Sequence, residues 1–344
     1  MAKITPEASA LSTFSALCAE QDLLKLPRGL SEEDVLDGLT DETTLLRFLQ
    51  ANRLQPDKAL EQFRQAIEFS AKHDAVRLYD LISEADFEDT RRQYPHWTGR
   101  RDRSGRPILM FDMAALGRQG MAHWRETRDL ALATIESEAG SQLGSESGES
   151  SESTLKSAPN MAQRALAYYS HLTRFVLPLC SAVRSQPVTN CVYIVDASSL
   201  SMKQAWDVRE FARDISWILQ TCYPETIYRV YCCNVPGFLA RIWSFLKPFI
   251  DPGTAAKIHF LRGTEASTVL SQEIAHEDLP ANVGGGFQFQ TGMLPSLDEP
   301  TRKSLEWIGP EELPMGPLKW IQTDGERRAV ATGTGRRVEL ARLV

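Results

Sequence analysis

Thr254 and Lys257 are two residues whose types and spacing could together bind an anion. They lie in the segment DPGTAAK, where Asp251–Gly253 predicts the start of a helix. Side chains three residues apart on a helix share a face, and a lysine with a hydroxyl at a helix N-terminus suits a phosphate diester. Two plainer interpretations stay open: Thr254 caps the helix, and Lys257 is an ordinary solvated lysine.

The common catalytic signatures are missing from the chain. Neither phosphate-binding motif (GxxxxGK[ST], GxGxxG) occurs, and neither GxSxG nor HExxH is present. The six cysteines form no CxxC pair, so we expect buried, reduced thiols rather than a zinc site. We therefore expect no enzyme, no catalytic residue, no metal and no cofactor. A hydrolase with a dispersed triad is the enzyme-class alternative.

Composition and charge exclude further classes. With 344 residues and 42% hydrophobic content the chain can build a sizeable core, and its net charge of -7 argues against nucleic-acid binding. The longest apolar stretch is interrupted by Pro178, so no membrane span is predicted. The N-terminus lacks the apolar segment of a signal peptide. These features predict a cytoplasmic protein.

Alternating helix and strand patterns must position Thr254 and Lys257, and they predict an α/β fold. Residues 30–80 show the helical spacing of a small bundle, and residues 94–290 alternate β-branched runs with helix patterns, as in a mainly parallel sheet. The predicted strands are Tyr94–Thr98, Pro107–Asp112, Val188–Asp196, Tyr228–Asn234 and Lys257–Leu261. The predicted helices between them are Met161–Val183, Met202–Cys222, Pro236–Phe249 and Ser267–Ile274.

Three stretches carry weak patterns. Residues 1–29 are predicted to be a loosely packed tail. Residues 137–158 consist mostly of Ser, Glu and Gly. They cannot bury enough apolar surface to offset their ordering entropy, so a disordered insertion is predicted there. Residues 291–344 form a C-terminal extension with short strand-like pieces, such as Arg337–Leu340, but no predicted second domain.

Several segments, taken in order, resemble the Sec14-like (CRAL-TRIO) lipid-binding and phosphatidylinositol transfer proteins. Together they span roughly residues 30–290, and several motifs in the family's order are far more specific than any one alone. The matching segments are Thr43–Ala51 with Asp57–Leu60, Arg101–Leu109, Tyr193–Asp196, Ile218–Asn234 with Val235–Lys257, and Leu279–Gly285.

The resemblance implies an N-terminal helical lobe followed by a mixed, mainly parallel sheet. Flanking helices enclose one deep hydrophobic pocket for the acyl chains of a lipid, and a mobile helix covers its mouth. Pro236–Phe249 occupies the position of that gate helix. A helix apolar on nearly all sides either packs in the core or touches lipid, and both readings stay open. Its large apolar residues are Phe238, Leu239, Ile242, Trp243, Phe245, Leu246 and Phe249.

The resemblance also implies a headgroup site. Family members that bind phosphatidylinositol share an acid in YPE and a Thr and Lys in DPxTxxK, which match Glu225, Thr254 and Lys257. A carboxylate there can accept hydrogen bonds from inositol hydroxyls or orient the lysine. The family's further basic contact follows the RFL motif. Asn52 holds that position here, so we expect the adjacent Arg53 to replace it.

Phosphatidylcholine is not favoured as a second ligand. The family positions that hold it correspond to Thr98, Leu109, Cys191 and Tyr193, and these lack the expected hydroxyl and tyrosine pattern. The resemblance thus implies a monomeric carrier of bound phosphatidylinositol or a related phospholipid, transiently associated with membrane surfaces. The alternatives are an adaptor that presents lipid to a kinase or a protein partner, and a carrier of another hydrophobic ligand.

Overall fold

The structure is a computed structural model that describes residues 5–137 and 153–344. Its helices are α1 (Pro6–Glu20), α2 (Glu42–Ala51), α3 (Pro56–Lys72), α4 (Ala75–Leu81), α5 (Glu84–Arg91), α6 (Arg118–Asp129), α7 (Met161–His171), α8 (Leu177–Ala182), α9 (Met202–Asp207), α10 (Arg209–Cys222), α11 (Leu239–Leu246), α12 (Pro252–Ala256), α13 (Glu265–Glu273) and α14 (Glu299–Lys303). Its strands are β1 (His96–Arg101), β2 (Pro107–Asp112), β3 (Ile135–Ser137), β4 (Ser153–Leu155), β5 (Cys191–Asp196), β6 (Ile227–Cys233), β7 (Ile258–Phe260), β8 (Leu305–Trp307), β9 (Leu318–Thr323), β10 (Glu326–Ala331) and β11 (Val338–Leu343).

A five-stranded sheet forms the centre of the molecule, in the order β1-β2-β5-β6-β7. Only β1 runs antiparallel to its neighbour; β2, β5, β6 and β7 are mutually parallel. The apolar run in β5 is buried nearly throughout, as expected for a central parallel strand covered on both faces. The predicted α/β fold, with a helical lobe and a mixed, mainly parallel sheet, is confirmed.

The N-terminal lobe includes a helix where the sequence predicts a tail. The tail predicted for residues 1–29 is largely α1, which starts at Pro6 behind the capping residue Thr5. Phe14 and Cys18, four residues apart on α1, are fully buried. The Phe14 ring packs edge-on against Phe63 of α3 at 6.0 Å, so this apolar face ties α1 to the lobe.

Two short strands, β3 and β4, lie at the two ends of the predicted insertion. Strands β3 and β4 pair antiparallel, with Ile135 opposite Leu155 and Ser137 opposite Ser153. The disorder predicted for residues 137–158 is therefore wrong at its C-terminal end, because Leu155 packs against the main core. Residues 138–152 of that prediction lie outside the described residues.

Two predicted helices are interrupted. The helix predicted over Met202–Cys222 divides at Val208 into α9 and α10. The helix predicted over Met161–Val183 contains a π-helical turn, Leu172–Val176, between α7 and α8. A π turn changes the direction in which the following side chains point.

The C-terminal extension forms a second, antiparallel sheet in the order β8-β11-β10-β9. Trp320 of β9 stacks on Phe175 at 5.3 Å between ring centroids, and its indole N–H donates to the Phe175 carbonyl at 3.2 Å. Both residues belong to one buried cluster. The extension is therefore packed on the body of the protein and shares its core.

Candidate functional site

Three of the predicted polar residues meet in one cavity of about 660 Å³, between the helical lobe and the start of β6. Glu225, Thr254 and Lys257 all line it. Five segments meet there: the end of α2, the start of α3, the end of α10, the turn into β6, and α12. The other lining residues are Ala51, Asn52, Lys58, Glu61, Gln62, Gln65, Trp217, Leu219, Gln220, Thr221, Tyr223, Pro224, Thr226, Ile227, Asp251 and Gly253.

Lys257 is held by two acceptors inside this cavity. Its ammonium group lies 2.8 Å from a Glu225 carboxylate oxygen and donates to the Ile227 carbonyl at 2.9 Å. The side chains of Lys257 and Glu225 remain 28% and 38% exposed. An ion pair this accessible to water contributes little to stability, so an incoming anion can take over the Lys257 ammonium at small cost.

Glu225 has a backbone conformation that L-residues rarely adopt, with φ of +55°. A non-glycine residue in the left-handed region costs on the order of 1 kcal/mol and persists only where the surroundings impose it. Here the turn that leads from α10 into β6 imposes it. The conformation places the Glu225 carboxylate against Lys257 instead of in open solvent.

Thr254 and Lys257 do not have the plainer roles left open by the sequence. The cap of α12 is Asp251, whose carboxylate accepts the Thr254 backbone N–H at 2.8 Å. The Thr254 hydroxyl is therefore not needed as a cap, and Lys257 is paired instead of simply solvated. Since both side chains line the same cavity, they can approach one ligand together.

Arg53 does not line this cavity. Arg53 and Leu54 both have positive φ, at +53° and +58°, and this double left-handed turn ends α2 and leaves Arg53 exposed. Asn52 lines the cavity instead, but its amide already donates to the Phe48 carbonyl at 2.9 Å and to Gln62.

Lys58, near the start of α3, brings a second exposed cation to the cavity. Lys58 lies within the matching segment Asp57–Leu60, but the sequence analysis took headgroup residues only from the RFL, YPE and DPxTxxK motifs and so did not select it. The signal that could have identified Lys58 is its position directly after Pro56 and Asp57, where the next helix begins.

The predicted gate residues divide into a buried edge and an exposed edge. Leu239 and Ile242 are 7% and 1% exposed and pack with Ala197, Leu200 and Ala205. Phe238, just before α11, is 39% exposed. Leu246 is half-buried.

Aromatic contacts fix the exposed edge of α11. Phe245 stacks on Trp206 of α9 at 5.1 Å and also contacts Phe249, and Trp243 meets the ring of Phe260 edge-on at 5.1 Å. Trp206, which the sequence analysis did not select, is 56% exposed. The Arg209 guanidinium lies 4.3 Å above its ring. Aromatic rings beside a cation are typical of surfaces that meet the membrane interface.

The interior positions considered for a second lipid are all buried. The Thr98 hydroxyl donates to the Ile108 carbonyl at 3.0 Å, so it is satisfied within the sheet. The Cys191 thiol contacts the Thr226 carbonyl at 3.0 Å. The Tyr193 hydroxyl is buried without a hydrogen-bond partner among the described residues.

Comparison with known families and proteins finds three main similarities. The family model described as CRAL/TRIO domain matches residues 91–285. The SEC14 cytosolic factor of Candida glabrata is 24% identical over 295 residues, which cover 85% of this chain and 87% of that protein. The phosphatidylinositol/phosphatidylcholine transfer protein SFH9 of Arabidopsis thaliana is 23% identical over 255 residues, 71% of this chain but 37% of that protein.

A solved structure resembles this fold. The crystal structure of Sfh5 matches with a TM-score of 0.52 and 10% sequence identity, over 83% of this chain and 93% of that chain. At this identity the likeness concerns the fold alone. Within the described parts of the chain, no helix is long and apolar enough to cross a membrane.

Proposed function

Because the chain belongs to the CRAL/TRIO domain family, as the match over residues 91–285 shows, we propose that it binds phosphatidylinositol and exchanges it between membranes. The family and its Sec14 relatives support lipid binding and transfer in general. The identity of the lipid is the finer part of the proposal. It rests on this chain's own residues, with support from the name of the Arabidopsis relative.

The observation that carries the proposal is the convergence of Glu225, Thr254 and Lys257 in one cavity. A phosphate diester accepts charge-assisted hydrogen bonds from an ammonium group and a further one from a hydroxyl. Lys257 and Thr254 supply these donors. Glu225, released from Lys257 by the phosphate, is then an acceptor for the hydroxyls of the inositol ring.

The apolar part of the lipid is held strongly relative to water, but not relative to a bilayer. Each methylene withdrawn from water contributes about 0.8 kcal/mol. Because a bilayer also keeps the acyl chains out of water, moving two of them into an apolar interior changes their free energy little. Selectivity must then come from the headgroup. We propose that α11 and the Trp206–Phe245 pair meet the membrane surface during exchange, in the cytosol, and that the role is binding instead of catalysis.

The test is transfer of labelled phosphatidylinositol between vesicles, compared with diacylglycerol, which has the same tails without a headgroup. For Lys257→Ala we expect phosphatidylinositol transfer to fall about tenfold to a hundredfold, since a charge-assisted contact contributes roughly 1.5–3 kcal/mol. Thr254→Val should act in the same direction but less. Glu225→Gln should impair inositol lipids only.

Lys203→Ala is the matched control, because Lys203 is an exposed lysine that does not line the cavity. Diacylglycerol transfer should be unchanged in every variant that circular dichroism shows to be folded. Equal loss of both lipids in Lys257→Ala would mean that the residue supports structure only. Unchanged transfer of both would remove phosphatidylinositol from the proposal.

A further inference from the structure

A second cavity of about 650 Å³ lies on the other side of the helical lobe. Its walls come from the segment after α1, the loop that leads into α2, the helices α3 and α4, the residues before β3, and the end of α7. Apolar side chains cover much of these walls, among them Phe48, Phe63, Ile67 and Leu166. The cavity therefore offers an apolar body a place out of water.

The charges around this cavity are mostly positive. Lys25, Arg28, Lys72, Arg77 and Arg174 line it, against two carboxylates. Each carboxylate already has a cation: Asp22 lies 2.9 Å from Lys25, and Asp74 lies 3.3 Å from Arg77. The remaining cations give the cavity an excess of positive charge that no lining acid balances.

Arg174 is the innermost of these cations and lacks an anion. It lies in the π-helical turn Leu172–Val176 and is only 3% exposed. Its guanidinium carbon lies 4.7 Å from the centre of the Tyr79 ring, and across residues 5–137 and 153–344 it makes no hydrogen bond or ion pair. A guanidinium carries five N–H donors, and burying it unpaired is costly.

Two hydroxyls and a second buried arginine adjoin Arg174. Ser170 and Tyr223 line the same cavity: the Tyr223 hydroxyl donates to the Leu166 carbonyl at 2.9 Å and accepts from the Ser170 hydroxyl at 3.0 Å. Behind the wall residue Thr44, whose hydroxyl accepts from Arg47 at 2.9 Å, two further guanidinium nitrogens of Arg47 are buried without partners among the described residues. This end of the cavity thus holds more donors than acceptors.

We propose that this cavity binds an anionic amphiphile: a carboxylate or phosphate monoester that carries a single apolar chain. The anion pairs with the buried guanidinium of Arg174, while the chain lies along Phe48, Phe63 and Leu166. Its volume is within the range of pockets that enclose small ligands. This ligand is separate from phosphatidylinositol, because the proposed headgroup contacts Glu225, Thr254 and Lys257 line only the other cavity, although Tyr223 borders both.

To test the proposal, the delipidated full chain is titrated with oleate, oleoyl lysophosphatidate and oleyl alcohol, each below its aggregation concentration, and the three affinities are compared. We expect at least one anionic probe to bind about tenfold or more tightly than the alcohol, as a charge-assisted contact requires. The anionic probe that binds more tightly identifies the headgroup of the ligand as a carboxylate or a phosphate. Equal binding of all three probes, or no binding of either anion, would overturn the proposal.

Two variants locate the site. Arg174→Gln should abolish the preference for the anion, while Arg213→Gln, on the exposed face of α10, should keep it. If Arg174→Gln does not fold, Ser70→Phe fills the cavity from α3 and leaves every charge in place. A folded Ser70→Phe protein that still binds the anionic probe as wild type does would place the ligand elsewhere and refute the proposal.

Discussion

At the residue scale, burial and hydrogen bonds to their rings keep two histidines in the neutral form. In His171 the ring Nδ1 accepts the Leu318 backbone N–H at 3.3 Å, which requires a lone pair on that nitrogen. In His96 the Nε2 accepts the Gly292 N–H at 3.3 Å. Burial, together with the charge of Arg91, lowers the pKa of His171 to about 3 and that of His96 to about 4.

These histidines should make the fold sensitive to mild acid. In the unfolded chain each imidazole binds a proton near pH 6.5, whereas the folded protein excludes that proton until about pH 4 or below. The unfolded state therefore holds more protons across this window, and the free energy of unfolding falls as the pH falls. We expect a loss of about 2–4 kcal/mol between pH 7 and pH 5.

Urea denaturation at pH 7, 6 and 5 measures this loss. His96→Gln and His171→Gln should each remove about half of the pH dependence, because glutamine does not titrate. A variant with the full wild-type dependence would show that its histidine is not the group responsible.

Only those residues of the candidate site that belong to a family motif could be predicted from the sequence. Glu225, Thr254 and Lys257 were found because they lie within segments that match the family, and the structure brings all three together. Arg53 was chosen by adjacency alone. The two left-handed residues that end α2 turn it away, and sequence spacing does not reveal backbone conformation at a helix end.

At the element scale, the gate helix α11 has a buried edge, and Phe238, just before the helix, is partly exposed. Phe238→Asp places a charge at a position that is 39% exposed, whereas Ile242→Asp places one at a position that is 1% exposed. We expect Phe238→Asp to keep the fold and slow lipid exchange more than equilibrium lipid binding, because the charge opposes entry into the membrane interface. Ile242→Asp should lose the fold, since an unpaired charge cannot be buried cheaply.

Circular dichroism, equilibrium lipid binding and vesicle-to-vesicle transfer separate the two effects. Transfer by folded Phe238→Asp at the wild-type rate would exclude the start of α11 from membrane contact. Unfolding of Phe238→Asp would instead show that the residue supports the core.

Elements with strong local signals could be predicted, and interrupted ones could not. Strand β2 matches its predicted bounds, because an apolar run between turn signals has few alternatives. The break at Val208 and the π turn at Leu172–Val176 interrupt helices whose apolar periodicity continues through them. The C-terminal sheet did carry one signal: Asp324-Gly325 joins β9 to β10, with both residues at positive φ as a two-residue hairpin requires.

At the scale of the whole molecule, one buried lysine connects the C-terminal sheet to the N-terminal half. Lys319 is 1% exposed, and its ammonium lies 2.5 Å from Asp34 and 2.6 Å from Asp80. Arg337 reaches both carboxylates at 3.1 and 3.4 Å. Burial alone would raise the pKa of Asp34, but the charge of Lys319 lowers it below its ordinary value.

We expect Lys319→Met to lower the free energy of unfolding by about 3–5 kcal/mol, because the buried Asp34 carboxylate loses its nearest cation and must share the partly exposed Arg337 with Asp80. Lys303→Met is the matched control. Lys303 pairs with Glu299 on the surface, where the two side chains are 72% and 65% exposed, so its loss should cost less than about 1 kcal/mol. Chemical denaturation of both variants at pH 7 measures the difference. Similar losses would show that the buried triad adds nothing to stability.

No local pattern could have predicted this triad, because a pairing between Asp34, Asp80 and Lys319 depends on how distant segments dock. Each residue alone looks like an ordinary surface charge. The same limit applies to Trp320 and Phe175, whose stacking joins the second sheet to the body.

The sequence separation within this triad also sets an order of events on the ribosome. Asp34 and Asp80 are translated well before Lys319, and at about 5–20 residues per second the gap from Asp34 is on the order of 15–60 s. During that interval the nascent lobe carries two acids whose cation does not yet exist. Until translation reaches β9, the two carboxylates stay in water and the lobe lacks the stabilisation that Lys319 supplies in the finished protein.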